Sequence, residues 1–168
     1  MFSLISAIGK NREIGENNNL IFHVKDDMKF FRETTKGHKV VMGRATWKSL
    51  PGKLKDRKNI VVTRSDPKSL EKPSQAPAVA PDEIVSNLDS FIEANQDSEE
   101  EIFIIGGGTI YSAFLPYAKH LYLTEIDASA EDADTFFPQF DKSKYHRTII
   151  KKGSDHGINY SIVKYTKL

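Results

Sequence analysis

Apolar residues along this chain gather into short, nearly unbroken runs separated by stretches with helical spacing. Six runs read as strands: Phe2–Gly9, Lys39–Met42, Asn59–Thr63, Glu83–Val85, Glu101–Ile105 and His120–Ile126. Helical spacing occupies Lys25–Thr35, Arg44–Leu50, Leu88–Asn95 and Thr109–Leu115, with Asn87 placed as an N-cap and Pro116 as a stop. Strands that alternate with helices predict an α/β fold around a largely parallel sheet. The tail differs. Lys144–Lys152 and Asn159–Lys167 are long alternating runs flanking Gly153-Ser154-Asp155-His156-Gly157, which predicts an antiparallel pair closing one edge of the sheet. Lys10–Asn19, with a glycine and three successive asparagines, reads as a long mobile loop after the first strand. Pro67, Pro73, Pro77 and Pro81 make the stretch from Asp66 to Asp82 an irregular connection.

Composition bounds the function classes. At 168 residues the chain fits one domain able to fold unaided. It has no cysteine, so disulfides and thiolate metal sites are excluded, and its five histidines show no ligand-like spacing; no metal is expected. The apolar start, Met1 to Gly9, is short and lacks a basic flank, so it reads as a buried strand rather than a signal peptide. No stretch approaches the roughly 18 apolar residues that cross a bilayer. A thiol-free, signal-free chain points to the cytoplasm.

The net charge of +1 hides an asymmetry. Lys36–Lys68 carries ten Lys/Arg against two Asp, whereas Asp82–Glu101 carries eight acids and no base. Both segments read as solvated surface, and the basic one could also receive phosphates or carboxylates. Its basic residues are interrupted by strand-like runs and follow no nucleic-acid-binding motif, so no nucleic-acid partner is expected.

The sharpest local signal is Glu101-Ile-Phe-Ile-Ile-Gly-Gly-Gly-Thr-Ile-Tyr111, an apolar strand running into three glycines and then a helix. Such a turn lets backbone N–H groups approach an anion closely, or it is simply tight packing. It is not the G-x-G-x-x-G fingerprint, because Tyr111 occupies the last glycine place. A second turn of this kind lies at Val40-Val-Met-Gly-Arg-Ala-Thr46, and a third strand ends in Thr63-Arg64-Ser65. Arginines and hydroxyls, rather than an acid, suit a ribose 2′-phosphate, which favours NADP(H) over NAD(H).

On the helix from Lys25, positions 27, 31 and 34 share one side, placing Asp27 beside Phe31 and Thr34. Asp26 and Asp27 could both be partners of the helix dipole. An acid that shares its face with an aromatic could instead pair with the amidine-like edge of a flat heterocycle.

With these residues in view the chain resembles bacterial dihydrofolate reductase over essentially its whole length. The matching stretches are Leu4–Ile8, Asp27-Met-Lys-Phe-Phe31, Val41-Met-Gly-Arg-Ala-Thr-Trp47, Arg57-Lys-Asn-Ile60, Ile104-Ile-Gly-Gly-Gly108 with Tyr111, Leu121-Tyr-Leu-Thr124 and Asp134-Thr-Phe-Phe-Pro138. The resemblance implies a single dihydrofolate reductase domain. Its sheet would be eight-stranded and mostly parallel, with an antiparallel C-terminal strand and four flanking helices, and a subdomain over roughly His38 to Ile102 would cradle adenosine. It also implies a monomer that reduces 7,8-dihydrofolate with NADPH in support of one-carbon metabolism, and that binds antifolates.

By the same resemblance Asp27 is the catalytic carboxylate that binds the pterin, supported by Thr124. Met28, Phe31, Leu50 and Leu54 wall the pocket, with Tyr111 adjoining, and Arg57 grips the α-carboxylate of the glutamate tail. Ile5 and Ile105 offer backbone carbonyls to a 4-amino group, and Ala7 borders the nicotinamide. The cofactor would touch Ile14, Gly15 and Asn18 in the loop spanning Lys10–Val24, which closes over the site. It would also touch Gly43, Arg44, Ala45 and Thr46, the strand end Thr63, Arg64 and Ser65, the turn Ile105, Gly106, Gly107 and Gly108, then Thr109, Ile110, Tyr111 and Thr135. The first two glycines of that turn are joined by a cis peptide in the family.

The chain departs from the family pattern at Ile21-Phe22, where members usually carry Pro-Trp, at Lys25, which replaces a frequent proline, and at Ala133, where several have glycine. Two alternatives are the related pyrimidine reductase of riboflavin synthesis, which would not join Asp27-x-x-x-Phe31 to Arg57, and a non-catalytic NADP-binding module.

Overall fold

Strands that are apolar on both faces need cover on both sides, and the arrangement of elements follows from that need. The computed structural model describes residues 1–16, 19–20, 22–64, 67–72 and 79–168. In chain order the elements are β1 (Phe2–Ile8), β2 (Glu13–Glu16), β3 (Asn19–Leu20), α1 (Lys25–Thr35), β4 (Lys39–Gly43), α2 (Arg44–Ser49), β5 (Lys58–Val62) and β6 (Glu83–Val85). They continue with α3 (Leu88–Asn95), β7 (Ile102–Gly106), α4 (Gly108–Phe114), β8 (Ala118–Ile126), β9 (Thr135–Phe136), β10 (Tyr145–Asp155) and β11 (Ile158–Lys167).

Eight strands form one sheet in the order β10-β11-β8-β1-β7-β4-β5-β6. Pairings from β8 to β6 are parallel, and β11 runs antiparallel to both β8 and β10. The expected sheet, its antiparallel C-terminal strand and the four helices are therefore all present. On one face Phe2, Leu4, Ile104, Leu121 and Leu123 pack with Ile92, Tyr111 and Phe114 of α3 and α4. On the other Ile5, Val40, Met42, Val61 and Phe103 pack with Trp47 and with Phe30 and Phe31 of α1. Asn87 caps α3 as predicted, accepting the Ser90 N–H at 3.0 Å.

Two expectations need correcting. The stretch expected as a long mobile loop, Lys10–Asn19, contains β2, which pairs with β3 and β9 in a second, three-stranded sheet. Two buried residues hold it there: Ile14 joins the core and Glu13 is 1 % exposed. The Glu13 carboxylate accepts backbone N–H groups from Asn11 and Ala130, each at 2.6 Å. Further bonds join Lys10 N–H to Ala128 O, Asp134 N–H to Gly15 O and Phe137 N–H to Arg12 O. The partner strand β9 lies some hundred and twenty residues away, and four residues are too few to show a period of two.

The second correction concerns the C-terminal connection. Gly153 and Asp155 belong to β10, and the turn is reduced to His156-Gly157, both at positive φ (51° and 80°). That is the two-residue geometry that matches strand twist. Gly153 sits within the strand because a Cβ there would stand 2.5 Å from the Tyr160 hydroxyl across the hairpin.

The proline-rich connection is tied down where it is described. Trp47 Nε1 donates to Leu70 O at 2.6 Å, and Lys72 Nζ donates to Trp47 O and Leu50 O at 2.7 and 2.5 Å. The Lys72 ammonium lies 4.5 Å from the Trp47 ring centre, and burial lowers its pKa.

Backbone N–H groups hold the Glu13 pKa below the ordinary glutamate value although burial pushes the other way. Its stabilisation is therefore present above the unfolded-state pKa and is lost as pH falls through the lower folded-state value. Glu13→Gln turns an NH2 toward a backbone donor, so at neutral pH it should cost about 1–3 kcal/mol. Denaturant titrations at a series of pH values should show that gap closing in acid.

Candidate functional site

The site begins where two neighbouring strands part. β1 and β7 pair only at Phe2↔Ile102, Ser3↔Phe103 and Leu4↔Ile104. Beyond Leu4, β1 continues with β8 as far as Ile8↔Glu125, while β7 continues with β4 and reaches Met42↔Gly106 across a bulge at Ile105. The chain leaves β1 for β4 by way of α1 on one face, and leaves β7 for β8 by way of α4 on the other. Opposed crossovers at adjacent strands open a crevice at their carboxyl ends, where open α/β sheets bind ligands.

Ile5 and Ile105 stand at the parting. The Ile5 carbonyl accepts the Tyr111 hydroxyl at 2.6 Å, and burial raises the pKa of that phenol. On the α1 side Asp27 is half-buried, and its Oδ1 accepts the Thr124 hydroxyl of β8 at 2.6 Å. Burial pushes the Asp27 carboxyl above the ordinary aspartate range, and the Thr124 bond partly opposes it. Phe31, Leu50 and Leu54 are partly buried on the same face, Ala7 packs beside Val24 and Ile126, and Met28 is 54 % exposed. Asp26 is no mere dipole partner: it accepts the Tyr160 hydroxyl and faces Lys151 Nζ at 3.1 Å.

Arg57 is aimed by its surroundings. Its Nη1 donates to Thr35 Oγ1 at 3.1 Å, its Nε donates to Lys55 O at 2.8 Å, and its guanidinium lies 5.9 Å from the Phe31 ring centre. Thr35 is fully buried and donates to Phe31 O at 2.7 Å. Asn59, equally buried, exchanges bonds with the Leu54 backbone and donates to Arg57 O at 3.0 Å. Sequence reasoning passed over Thr35 and Asn59 as supports. A threonine one turn after an aromatic and an asparagine amid strand residues were the available signals.

On the other side of the crevice two glycine-opened helix starts face each other. Gly43 precedes α2 and Gly107 precedes α4; neither of these N-cap residues makes a side-chain cap bond and neither helix has an acid in its first turn, a setting that favours an anion. The Gly106–Gly107 peptide is cis. A Cβ on Gly43 would meet Ile110 Cγ1 at 3.0 Å, and one on Gly108 would meet Phe136 O at 3.0 Å and Thr135 Cγ2 at 3.2 Å. Thr46 Oγ1 lies 3.6 and 3.7 Å from the Cβ positions of Gly106 and Gly107. Arg44, Ala45, Arg64 and Thr109 are exposed, and Thr63 follows β5 half-buried, its N–H bonded to Val85 O. Gly-opened N–H groups, hydroxyls and arginines fit a phosphorylated dinucleotide. Ile14 packs in the core and Gly15 pairs with Thr135, so these two can offer a ligand little beyond backbone. Asn18, Ile21 and Ser65 lie outside the described residues.

The fold defines an open α/β protein with a crevice at the carboxyl edge of its parallel strands. The family model of dihydrofolate reductase matches residues 1–167, and the chain belongs to that family. Similar relatives include the dihydrofolate reductase of Bacillus subtilis (strain 168), 34 % identical over 99 % of this chain and 95 % of the relative. That of Neisseria gonorrhoeae is 35 % identical over 97 % and 96 %, and dihydrofolate reductase HdrB of Haloferax volcanii is 35 % identical over 99 % and 83 %. Among the described residues no helix is long and apolar enough to cross a membrane.

A carboxyl whose folded-state pKa is raised binds its proton more tightly in the native than in the unfolded chain. Stability therefore falls as pH rises from the unfolded value through the folded one. Asp27→Asn keeps an oxygen for Thr124 and removes the buried charge, so it should unfold at higher urea than the parent at neutral pH. The difference should vanish near pH ~4, the ordinary aspartate value.

Proposed function

We infer that this chain reduces 7,8-dihydrofolate to 5,6,7,8-tetrahydrofolate with NADPH, as its family does. The observation that carries the reading at residue level is the crevice between β1 and β7, with one half-buried carboxylate on one side and two uncapped, glycine-opened helix starts on the other.

In this reading Asp27 accepts paired hydrogen bonds from N3 and the 2-amino group of the pterin, and Thr124 fixes the carboxylate for that task. Phe31, Leu50 and Leu54 exclude water from the ring, with Met28 at the rim. Arg57, already aimed by Thr35, holds the tail carboxylate bidentately. The carbonyls of Ile5 and Ile105 receive the 4-amino group of an antifolate. Gly106, Gly107, Gly108 and the start of α2 hold the pyrophosphate, and Arg44, Thr63 and Arg64 read the 2′-phosphate within an adenosine-binding region of roughly His38 to Ile102. NADPH, when bound there, would supply the hydride. The protein places the pterin for it, and water admitted beside N5 delivers the balancing proton, since no side-chain acid is assigned there. Asp27 contributes orientation and a negative field. The segment 9–16 is zipped to 128–137 by backbone hydrogen bonds. A monomer working in the cytoplasm completes the proposal.

The direct experiment follows NADPH absorbance with dihydrofolate. The parent should turn over, and Asp27→Asn should be slower by about a hundredfold or more at neutral pH with its fold retained. Near-parental rates would remove Asp27 from the site. Arg57→Ala should weaken folates that carry a glutamate tail by roughly tenfold or more, the worth of a charge-assisted contact. Tail-less diaminopyrimidine inhibitors should bind Arg57→Ala nearly as before, which competition titrations would measure.

A further inference from the structure

The first turn of α1 carries Asp27, yet its N-cap residue Val24 provides no side-chain cap. The groups that satisfy and hold this turn come from the far end of the chain. Asp155, at the end of β10, accepts the Lys25 N–H on Oδ2 at 3.1 Å, and His156 Nδ1 lies 2.5 Å from its Oδ1. One residue along the helix, Asp26 accepts the hydroxyl of Tyr160 from β11 and faces Lys151 of β10. Tyr160 is 3 % exposed and packs with Val24, Ile126 and Ile162. Its hydroxyl occupies the space that a Cβ on Gly153, its partner across the hairpin, would fill. The hairpin is thus shaped to deliver that hydroxyl.

We propose that the β10–β11 hairpin end is a clamp, in which Asp155 and Tyr160 are positioning residues that hold the first turn of α1 so that Asp27 meets Thr124 and the pterin. The proposal rests on the reading of Asp27 given above. The geometry is that of a rigid caliper. β11 pairs with β8 at Tyr160↔Ile126 and Ile162↔Thr124, so the clamp and the threonine that orients Asp27 ride on adjacent strands of one sheet. Helix ends fray where their N–H groups lack partners. A frayed first turn would carry Asp27 away from the Thr124 hydroxyl and admit water to it. Among the described residues on other elements, Tyr111 of α4 is a titratable group that feels the Asp27 charge. The substitutions below leave it untouched.

The test reads the Asp27 carboxyl titration by carbon NMR in the ligand-free protein, assigned with Asp27→Asn, alongside KM and kcat for dihydrofolate. Tyr160→Phe, Gly153→Ala and Asp155→Ala should each move the Asp27 midpoint down toward the ordinary aspartate value. Each should raise KM about three- to tenfold, the worth of one hydrogen bond, with kcat changing less. Asp155→Asn keeps an acceptor and should stay near the parent in both readouts. A lower melting temperature with the Asp27 titration and KM unmoved in all three would make the hairpin structural support only and overturn the clamp. Because the titration needs no ligand, a parent that failed to reduce dihydrofolate would overturn the functional reading while leaving the clamp decided by the NMR result.

Discussion

Parallel strands β1 and β7 stay together for three residue pairs and then separate, and the rest of the site depends on that parting. Adjacent strands whose crossovers leave on opposite faces cannot close over each other at their carboxyl ends. The bulge at Ile105 and the continued pairing of β1 with β8 widen the gap that the topology begins. Several groups of the site are then delivered by elements around the gap: Asp27 by α1, Thr124 by β8, Tyr111 and the triple glycine by α4 and β7, Gly43 and Thr46 by β4 and α2; Arg57 and Arg64 come from the two ends of β5, one strand further out.

Two acids withdrawn from water show how the same desolvation serves opposite ends. Glu13 is almost wholly buried, but two backbone N–H groups at 2.6 Å favour its ionised form, and its pKa falls. It behaves as a structural anion that fastens the 9–16 segment to 128–130. Asp27 receives a single hydroxyl, and burial wins, so its pKa rises. An incompletely satisfied carboxylate is a poor stabiliser and a good receptor for a ligand that brings its own donors. In the proposed role of Asp27, stability is given up at one residue in exchange for binding, while Asp26 beside it accepts the Tyr160 hydroxyl.

Positioning in this molecule is done by short polar bonds from buried residues. Thr35 and Asn59 hold Arg57 and Leu54, and Lys72 with Trp47 ties α2, the helix between the two halves of the crevice, to the segment at Leu70. None of these residues faces the crevice as a ligand-binding group in the functional reading. Thr35, Asn59 and Lys72 bond the backbone carbonyls of residues that do, at Phe31, at Leu54 and Arg57, and at Leu50, while Trp47 fastens α2 to Leu70.

Local sequence determined the elements whose signals lie within a few residues: the bounds of α1 and α3, the Asn87 cap, the buried strands, and the glycines that open α2 and α4. The family motifs were legible for the same reason, since each is a contiguous run. What only the tertiary structure decided are the relations between distant runs. Glu13 makes sense only beside Ala130, which turns part of an apparent loop into β2. Gly153 looked like a turn residue because glycine usually marks one, and it belongs to a strand because the Tyr160 hydroxyl fills its Cβ space. Asp26 and Asp27 are adjacent acids of one helical turn, indistinguishable by composition. The sheet separates them by presenting tyrosine and lysine to the first and a lone threonine to the second. Burial and partner geometry set the chemistry of a carboxylate, and both are properties of the packed chain, not of the residues beside it in sequence.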